Sequence, residues 1–254
     1  MRILLTNDDG IGALGINSLC KCLSEIGEIS VVAPDSERSA TGHGITLRKP
    51  LMIREVEMDC GGIIGYSVSG TPADCVKLAV QGKLVPLPDI VISGINQGQN
   101  LGTDVLYSGT VSAAIEGALL GVPAIAVSLT SYKYQNFDFA AAYTKKLCLD
   151  LSNKKLTKDT LLNVNVPPLN PDEVKGVRIT KLGETKYTNV FEERVDPRGQ
   201  KYFWQGGEIL IEECCDTETD VYAVSNNYIS VTPIHFDLTN FAVMNQVKGW
   251  NLEK

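Results

Sequence analysis

Apolar and polar positions along the first two thirds of the chain follow two alternating rhythms. Short apolar runs occur at residues 2–6 (RILLT), 29–33, 65–68, 89–93 (DIVIS), 123–129 and 161–166. Runs of this length bounded by turn residues predict buried strands. Between the first two, Ile16, Leu19, Cys20, Leu23 and Ile26 recur at helical spacing, and Gly27 supplies a stop. Thr71-Pro72-Ala73-Asp74 is a helix start, with Thr71 as N-cap, Pro72 at the first helical position and Asp74 in the first turn. Val76, Ala79 and Val80 then face a core. Residues 110–120 are small and apolar, suited to a helix packed closely on a sheet, and residues 139–151 predict a further helix.

Strands that alternate with helices predict an α/β fold, a mostly parallel sheet with helices on both faces. Ligands of such sheets bind beyond the carboxyl ends of the strands. After Lys181 the rhythm changes. Tyr187, residues 195–199 (VDPRG), Tyr202-Phe203-Trp204 and Gly206-Gly207 predict extended strands and turns. The chain therefore reads as an α/β core over 1–180, followed over 181–254 by an extended arm or hairpin and a C-terminal segment. His235, in an apolar strand-like stretch, reads as structural.

Composition narrows the function classes. The chain has 254 residues, 44% of them apolar and 21% charged, enough for one large α/β domain or two small ones with a proper core. A formal net charge of −7 argues against a general nucleic-acid binder, which needs a basic face. A phosphorylated substrate would have to find a local positive element. Seven cysteines without a C-x-x-C, and only two histidines, supply a zinc site poorly. They read as buried or free thiols in a reducing compartment. With no signal peptide and no apolar run of membrane length, a cytoplasmic protein is expected.

The chemistry concentrates just past the strands. Asn7-Asp8-Asp9-Gly10 follows the first strand directly. Adjacent carboxylates at that position repel each other, and carboxylates are rarely buried unless paired or bound to a metal. A divalent cation relieves the repulsion; an Asx turn with both carboxylates in water is the alternative. Past the second strand, residues 35–43 (DSERSATGH) bring hydroxyls, Arg38 and His43. Past the fourth, residues 94–100 (GINQGQN) form an uncharged glycine-amide loop, either a mobile active-site loop or a surface turn. Carboxylates, hydroxyls and amides are oxygen donors that suit Mg²⁺, Mn²⁺ or Ca²⁺. Ser108-Gly109-Thr110 leads into a helix, whose amides and hydroxyls either grip a phosphate or simply cap it. His43 either protonates a leaving group, contacts phosphate, or has no role.

Gly10-Ile11-Gly12-Ala13-Leu14-Gly15 also matches G-x-G-x-x-G, with Asp35 twenty residues further on, and so suggests an NAD-dependent oxidoreductase. Electrostatics oppose it. Asp8 and Asp9 would stand beside the pyrophosphate, and at an effective dielectric near 20 like charges about 4 Å apart repel by roughly 4 kcal/mol. A cation between carboxylates and phosphate reverses the sign. A phosphorelay receiver is disfavoured because Val68-Ser69-Gly70 stands where the phosphoacceptor aspartate should. An Asp-x-Asp phosphatase is disfavoured because Asp8 and Asp9 lack that spacing.

The blocks ILLTNDDG, PDSERSATGHGITL, SGTPADCV, DIVISGINQGQNLGTDVLYSGTVSAAIEGALLGVPAIAVSL, LLNVNVP, DPRGQKYFWQGG and ISVTPIHFDLTN together resemble the SurE survival-protein nucleotidases, from the start to about residue 240. The resemblance implies a Rossmann-like core and a metal-dependent phosphomonoesterase acting on nucleoside monophosphates, a 5′-nucleotidase with the 3′ position also open. It implies dimers or tetramers joined by exchanged arms. It places one divalent metal per subunit, Mg²⁺ or Mn²⁺, on Asp8, Asp9, Ser39 and Asn96, with Asn7 as a neighbour and Ser108, Gly109 and Thr110 on the phosphate. Many relatives read closer to N-R-S-G-x-S where this chain has residues 37–42 (ERSATG), so Ser39 is kept while the loop around it departs. Water or an aspartate, Asp8 or Asp9, remains open as the nucleophile.

Overall fold

A computed structural model describes residues 1–152, 154, 156–157, 159–188, 190–206, 208–210, 216–250 and 252. In chain order the elements are β1 (Arg2–Thr6), α1 (Leu14–Leu23), β2 (Glu28–Pro34), β3 (Ile53–Glu57), β4 (Ile64–Val68), α2 (Pro72–Val80), β5 (Ile90–Gln97), a 3₁₀ turn (Gly102–Leu106), α3 (Gly109–Leu119), β6 (Ala124–Leu129), α4 (Asp138–Ser152), β7 (Thr160–Val166), β8 (Val177–Ile179), β9 (Lys186–Thr188), β10 (Phe191–Val195), β11 (Lys201–Gln205), β12 (Glu208–Leu210), α5 (Asp220–Ser225), β13 (Ile229–His235) and α6 (Phe241–Lys248). Nine strands form one sheet in the order β3-β4-β2-β1-β5-β6-β7-β13-β8. Its middle is parallel, while β3 and β13 run antiparallel to β4 and β7.

The period of two along each strand builds two cores. Ile3, Leu5, Val31, Ala33, Ile90, Ile92, Ile125 and Val127 pack on the side of α1 and α4. Leu4, Val32, Val91, Ala124 and Ala126 pack on the side of α2 and α3. Unbroken apolar runs are what a strand covered on both faces requires. The Thr71 start forms as expected: its hydroxyl accepts the Asp74 amide at 3.1 Å, and the Asp74 carboxylate accepts the Thr71 amide at 2.9 Å.

The structure corrects three expectations. The glycine-amide segment is not a loop up to Asn100: β5 continues through Gln97 after an irregularity between Ser93 and Asn96, so Asn96 sits at a strand end. Cys20 and Cys60 are joined by a disulfide rather than free, because the inward face of α1 packs against the turn after β3. Cys22, Cys75 and Cys148 are free thiols, while Cys214, Cys215 and Gly207 lie outside the described residues. The segment after residue 181 is more than an arm. It forms the exposed ribbon β10–β11, pairs β9 with β12, and then returns β13 into the main sheet between β7 and β8. His235 ends β13 and is exposed. Among the described residues, no helix is long and apolar enough to cross a membrane.

Candidate active site

From β1 the chain moves outward to β2 and β4, then returns to place β5 on the other side of β1. The order reverses between β1 and β5, and a crevice opens at such a switch point beyond the carboxyl ends. Asp8 and Asp9 follow β1 there, and Asn96 and Gln97 end β5. Asp8 is almost fully buried. Its Oδ1 accepts the Thr110 hydroxyl at 2.5 Å, and its backbone carbonyl accepts the Arg38 amide at 2.7 Å. A β-carbon on Gly109 would stand 2.8 Å from Asp8 Cβ and 2.9 Å from its Oδ2. Glycine at the first turn of α3 thus lets the positive end of the helix dipole approach the carboxylate.

Burial pushes the Asp8 carboxyl above its usual range against the pull of Thr110. Asp9, beside it, accepts the Gln97 amide at 3.2 Å through Oδ2. Burial first, and the Asp8 charge second, push Asp9 from 3.8 up to about 6. A folded state that holds a proton which the unfolded chain releases loses stability as pH rises between those two values. For Asp9 in the metal-free protein the loss is on the order of 3 kcal/mol, essentially complete by pH 7. In EDTA, the melting temperature of Asp9→Asn relative to wild type should therefore climb between about pH 4 and pH 7. A constant difference across that range would refute the assignment.

The remaining candidates arrive by different routes. Asn7 is fully buried; its Nδ2 donates to the Gly10 carbonyl at 2.8 Å, and its Oδ1 has no partner. Ser39 joins through Glu37, whose Oε1 accepts its hydroxyl at 2.6 Å, and Glu37 adds negative charge at both aspartates. Asn96 donates from Nδ2 to the Gly98 carbonyl at 2.9 Å, which leaves its side-chain oxygen available as an acceptor. Ser108 caps α3: its oxygen accepts the Val111 amide at 3.0 Å, so capping is observed at this residue while the hydroxyl proton is left over. Thr110 is turned toward Asp8. His43 sits apart, with Nε2 2.9 Å from the buried Glu116, which also takes Lys77 at 3.0 Å. These two contacts hold the Glu116 carboxyl below its usual range despite burial.

Sequence reasoning passed over Glu37, Gln97, Glu116 and Lys77 as site neighbours. Glu37 carried a signal, a charge two residues before Ser39 in the same loop. Glu116 carried a weaker one, an acid inside an otherwise small and apolar helix.

Beside Asp9 lies a cavity of about 340 Å³ lined by Asp9, Gly12, Gly15, Glu37, Gln97 and Phe137. The glycines of the apparent dinucleotide fingerprint are packing devices. Gly10 has φ +98°, which turns the chain out of β1. A β-carbon on Gly15 would stand 2.0 Å from the Ile95 carbonyl oxygen, so α1 rests directly on β5. Asp35 is exposed and paired with Arg38 at 2.9 Å. Asp9 and Glu37 line the cavity at the start of α1, where a pyrophosphate would lie.

The donor set fits a hard divalent cation. Asp8, Asp9, Ser39 and Asn96 offer only oxygen, and the orphaned Asn7 Oδ1 is buried one residue before Asp8. Among the described residues there is no group of three or more His, Cys, Asp or Glu able to hold a metal, so a zinc-type cage is not formed.

Comparison with known proteins gives the family and supports the fold. A profile of the family described as "Survival protein SurE" matches residues 3–189. The 5′-nucleotidase SurE of Pelotomaculum thermopropionicum is 54% identical over 248 residues, covering 98% of this chain and 94% of that one. The 5′-nucleotidase SurE of Alkaliphilus metalliredigens is 52% identical over 255 residues and covers both chains fully. The crystal structure of the SurE protein from Aquifex aeolicus superposes with a TM-score of 0.85 at 40% identity, covering 98% of this chain and 99% of that one.

Proposed function

The chain belongs to the SurE survival-protein family, and on that premise we propose that it is a metal-dependent 5′-nucleotidase. It hydrolyses nucleoside monophosphates to nucleoside and phosphate. The observation that carries the reading is the adjacent pair at the β1/β5 switch point, Asp8 buried against the N-terminus of α3 and Asp9 half-buried beside the end of β5. One divalent cation per subunit, Mg²⁺ or Mn²⁺, is assigned to Asp8, Asp9, Ser39 and Asn96, with Asn7 beside it. When bound it supplies Lewis-acid polarisation of a phosphoryl oxygen and neutralises developing charge.

The chain's own residues do the positioning. Thr110 holds Asp8 Oδ1 while Oδ2 lies against Gly109 at the start of α3, and the Gln97 amide holds Asp9 Oδ2. The Ser108 hydroxyl and the Gly109 amide, at the start of α3, donate to the other phosphoryl oxygens. Water attacks phosphorus in line with the departing ribose oxygen. His43, held by Glu116, is assigned to the substrate rim. The exposed ribbon carrying Phe191, Tyr202, Phe203 and Trp204 is assigned to assembly as a homodimer or homotetramer.

The direct test is phosphate release from a panel of nucleoside monophosphates with Mg²⁺, Mn²⁺ or EDTA. Release that depends on added metal is expected, and EDTA-insensitive release would end the proposal. NAD(H) should not bind in the cavity beside Asp9. Titration into the metal-free protein, followed by nicotinamide fluorescence, should show no saturable change up to about 1 mM, because two uncompensated carboxylates face the pyrophosphate. Micromolar saturation would favour the oxidoreductase instead.

A further inference from the structure

Asp220 is completely buried, yet among the described residues no cationic side chain is bonded to it. Its Oδ2 accepts the Gly102 amide at 2.8 Å, and its Oδ1 accepts the Gly183 and Val221 amides, each at 2.8 Å. Its own amide donates to the Lys181 carbonyl at 2.9 Å. A carboxylate without a counter-ion is costly to bury unless amide donors replace its water, and here three of them do. The donors belong to three separate stretches: the 3₁₀ turn, the irregular segment between β8 and β9, and the start of α5.

The two distant stretches touch closely. A β-carbon on Gly102 would stand 2.7 Å from the Gly183 carbonyl oxygen and 2.7 Å from the Thr185 hydroxyl. Thr185 donates to the Leu101 carbonyl at 3.1 Å, and the Tyr187 hydroxyl bonds Asp104. One residue upstream, the Asn100 carbonyl accepts the side-chain amides of Asn163 and Asn165 on β7. The 3₁₀ turn leads directly to Ser108, and Tyr107 accepts the Gly42 amide at 3.0 Å through its carbonyl. The stretch from Asn100 to Tyr107 is thus tied at Asn100 to β7, at Leu101, Gly102 and Asp104 to residues 183–187 and Asp220, and at Tyr107 to Gly42.

We propose that Asp220 is a positioning residue for phosphate recognition: by joining Gly102 to Gly183 it sets where the 3₁₀ turn delivers Ser108 and Gly109. This rests on reading residues 108–110 as the phosphate turn. Asp220 touches neither substrate nor metal, and its influence passes through the backbone of residues 102–107. Its loss should therefore affect phosphate more than the Asp8-Asp9 cation site, which among the described residues meets α3 only through Asp8, at Gly109 and Thr110.

The probe is inorganic phosphate as competitive inhibitor of nucleotide hydrolysis by the full chain, with Mg²⁺ titrated in parallel. Asp220→Asn turns an amino donor toward an amide donor and should weaken phosphate inhibition about tenfold, while half-maximal activation by Mg²⁺ moves by less than about twofold. Gly102→Ala pushes the same two segments apart and should give the same split. Wild-type phosphate inhibition in either variant, or equal weakening toward phosphate and Mg²⁺, overturns the proposal, and Gly102→Ala decides if Asp220→Asn does not fold. Ser108→Ala separates the levels. If it weakens phosphate inhibition while Asp220→Asn does not, only the positioning role falls; if it has no effect, the phosphate turn itself falls, and the role of Asp220 with it.

Discussion

Asp9→Asn is expected to lower phosphate release from nucleoside monophosphates by about three orders of magnitude, while the metal-free variant melts no lower than wild type. The first half follows from charge. An amide in place of the carboxylate removes half of the negative charge that the adjacent pair contributes to the cation, and the transition state loses a stabilisation of several kcal/mol. The second half follows from the same geometry read without metal. Asp9 is pushed up to about 6 by burial and by Asp8, so in the apo protein its charge opposes folding. The amide keeps the shape and an oxygen to accept the Gln97 amide while removing that repulsion. Steady-state assays on protein stripped of metal and then reloaded, with thermal melts in EDTA alongside, check both halves. Wild-type turnover in the reloaded variant would remove Asp9 from the mechanism. A large drop in melting temperature would show that its role is structural.

Gly15→Ala is expected to destabilise the protein by about 3 kcal/mol or more, because it overpacks a close contact. The new β-carbon would stand 2.0 Å from Ile95 O, 2.9 Å from Ile95 C and 3.2 Å from Ile95 N, all backbone atoms of β5. Backbone in the middle of a nine-stranded sheet cannot rotate aside as a side chain would. Gly12→Ala is the control, since a β-carbon there meets nothing within 4 Å. Its melting temperature should stay close to wild type. The pair also tests why G-x-G-x-x-G occurs in this chain. A dinucleotide turn needs its middle glycine for a phosphate, whereas the packing account needs its last glycine for a strand. Thermal melts of the two variants decide it, and a Gly15→Ala protein as stable as wild type would contradict the contact.

The parallel core was legible because its strands are covered on both faces, so Leu4 and Leu5, or Val31 and Val32, must both be apolar even though they point opposite ways. The Thr71 cap was legible because capping depends on four neighbouring residues. Other features depend on distant partners and left little trace. The exposed edge strand Ile53–Glu57 shows no clean alternation, since it is bonded along one side only. The continuation of β5 to Gln97 hid behind Gly94 and two amides that resemble a loop. The Cys20–Cys60 bridge depends on how α1 meets a turn forty residues later. In the site, Asp8 and Asp9 stood out because adjacent acids after a buried strand need an explanation. That Thr110 faces Asp8, and that His43 faces Glu116, follows only once α3 is placed over β1 and the loop after β2.

The insertion of β13 between β7 and β8 bears on how the molecule is made. Synthesis runs from the N-terminus, and strand Thr160–Val166 emerges some seventy residues before its antiparallel partner Ile229–His235. Until then the nascent chain presents one open edge, beginning at Leu161 and Leu162, with nothing to cover it but water, chaperone or another chain. Among the described residues Val177–Ile179 pairs with β13 alone within the sheet and must wait for it as well. A ribosome stalled before residue 229 would therefore carry a polypeptide whose N-terminal crevice can already be assembled but whose sheet is still adhesive. Premature termination in this stretch should yield aggregates rather than a smaller working enzyme.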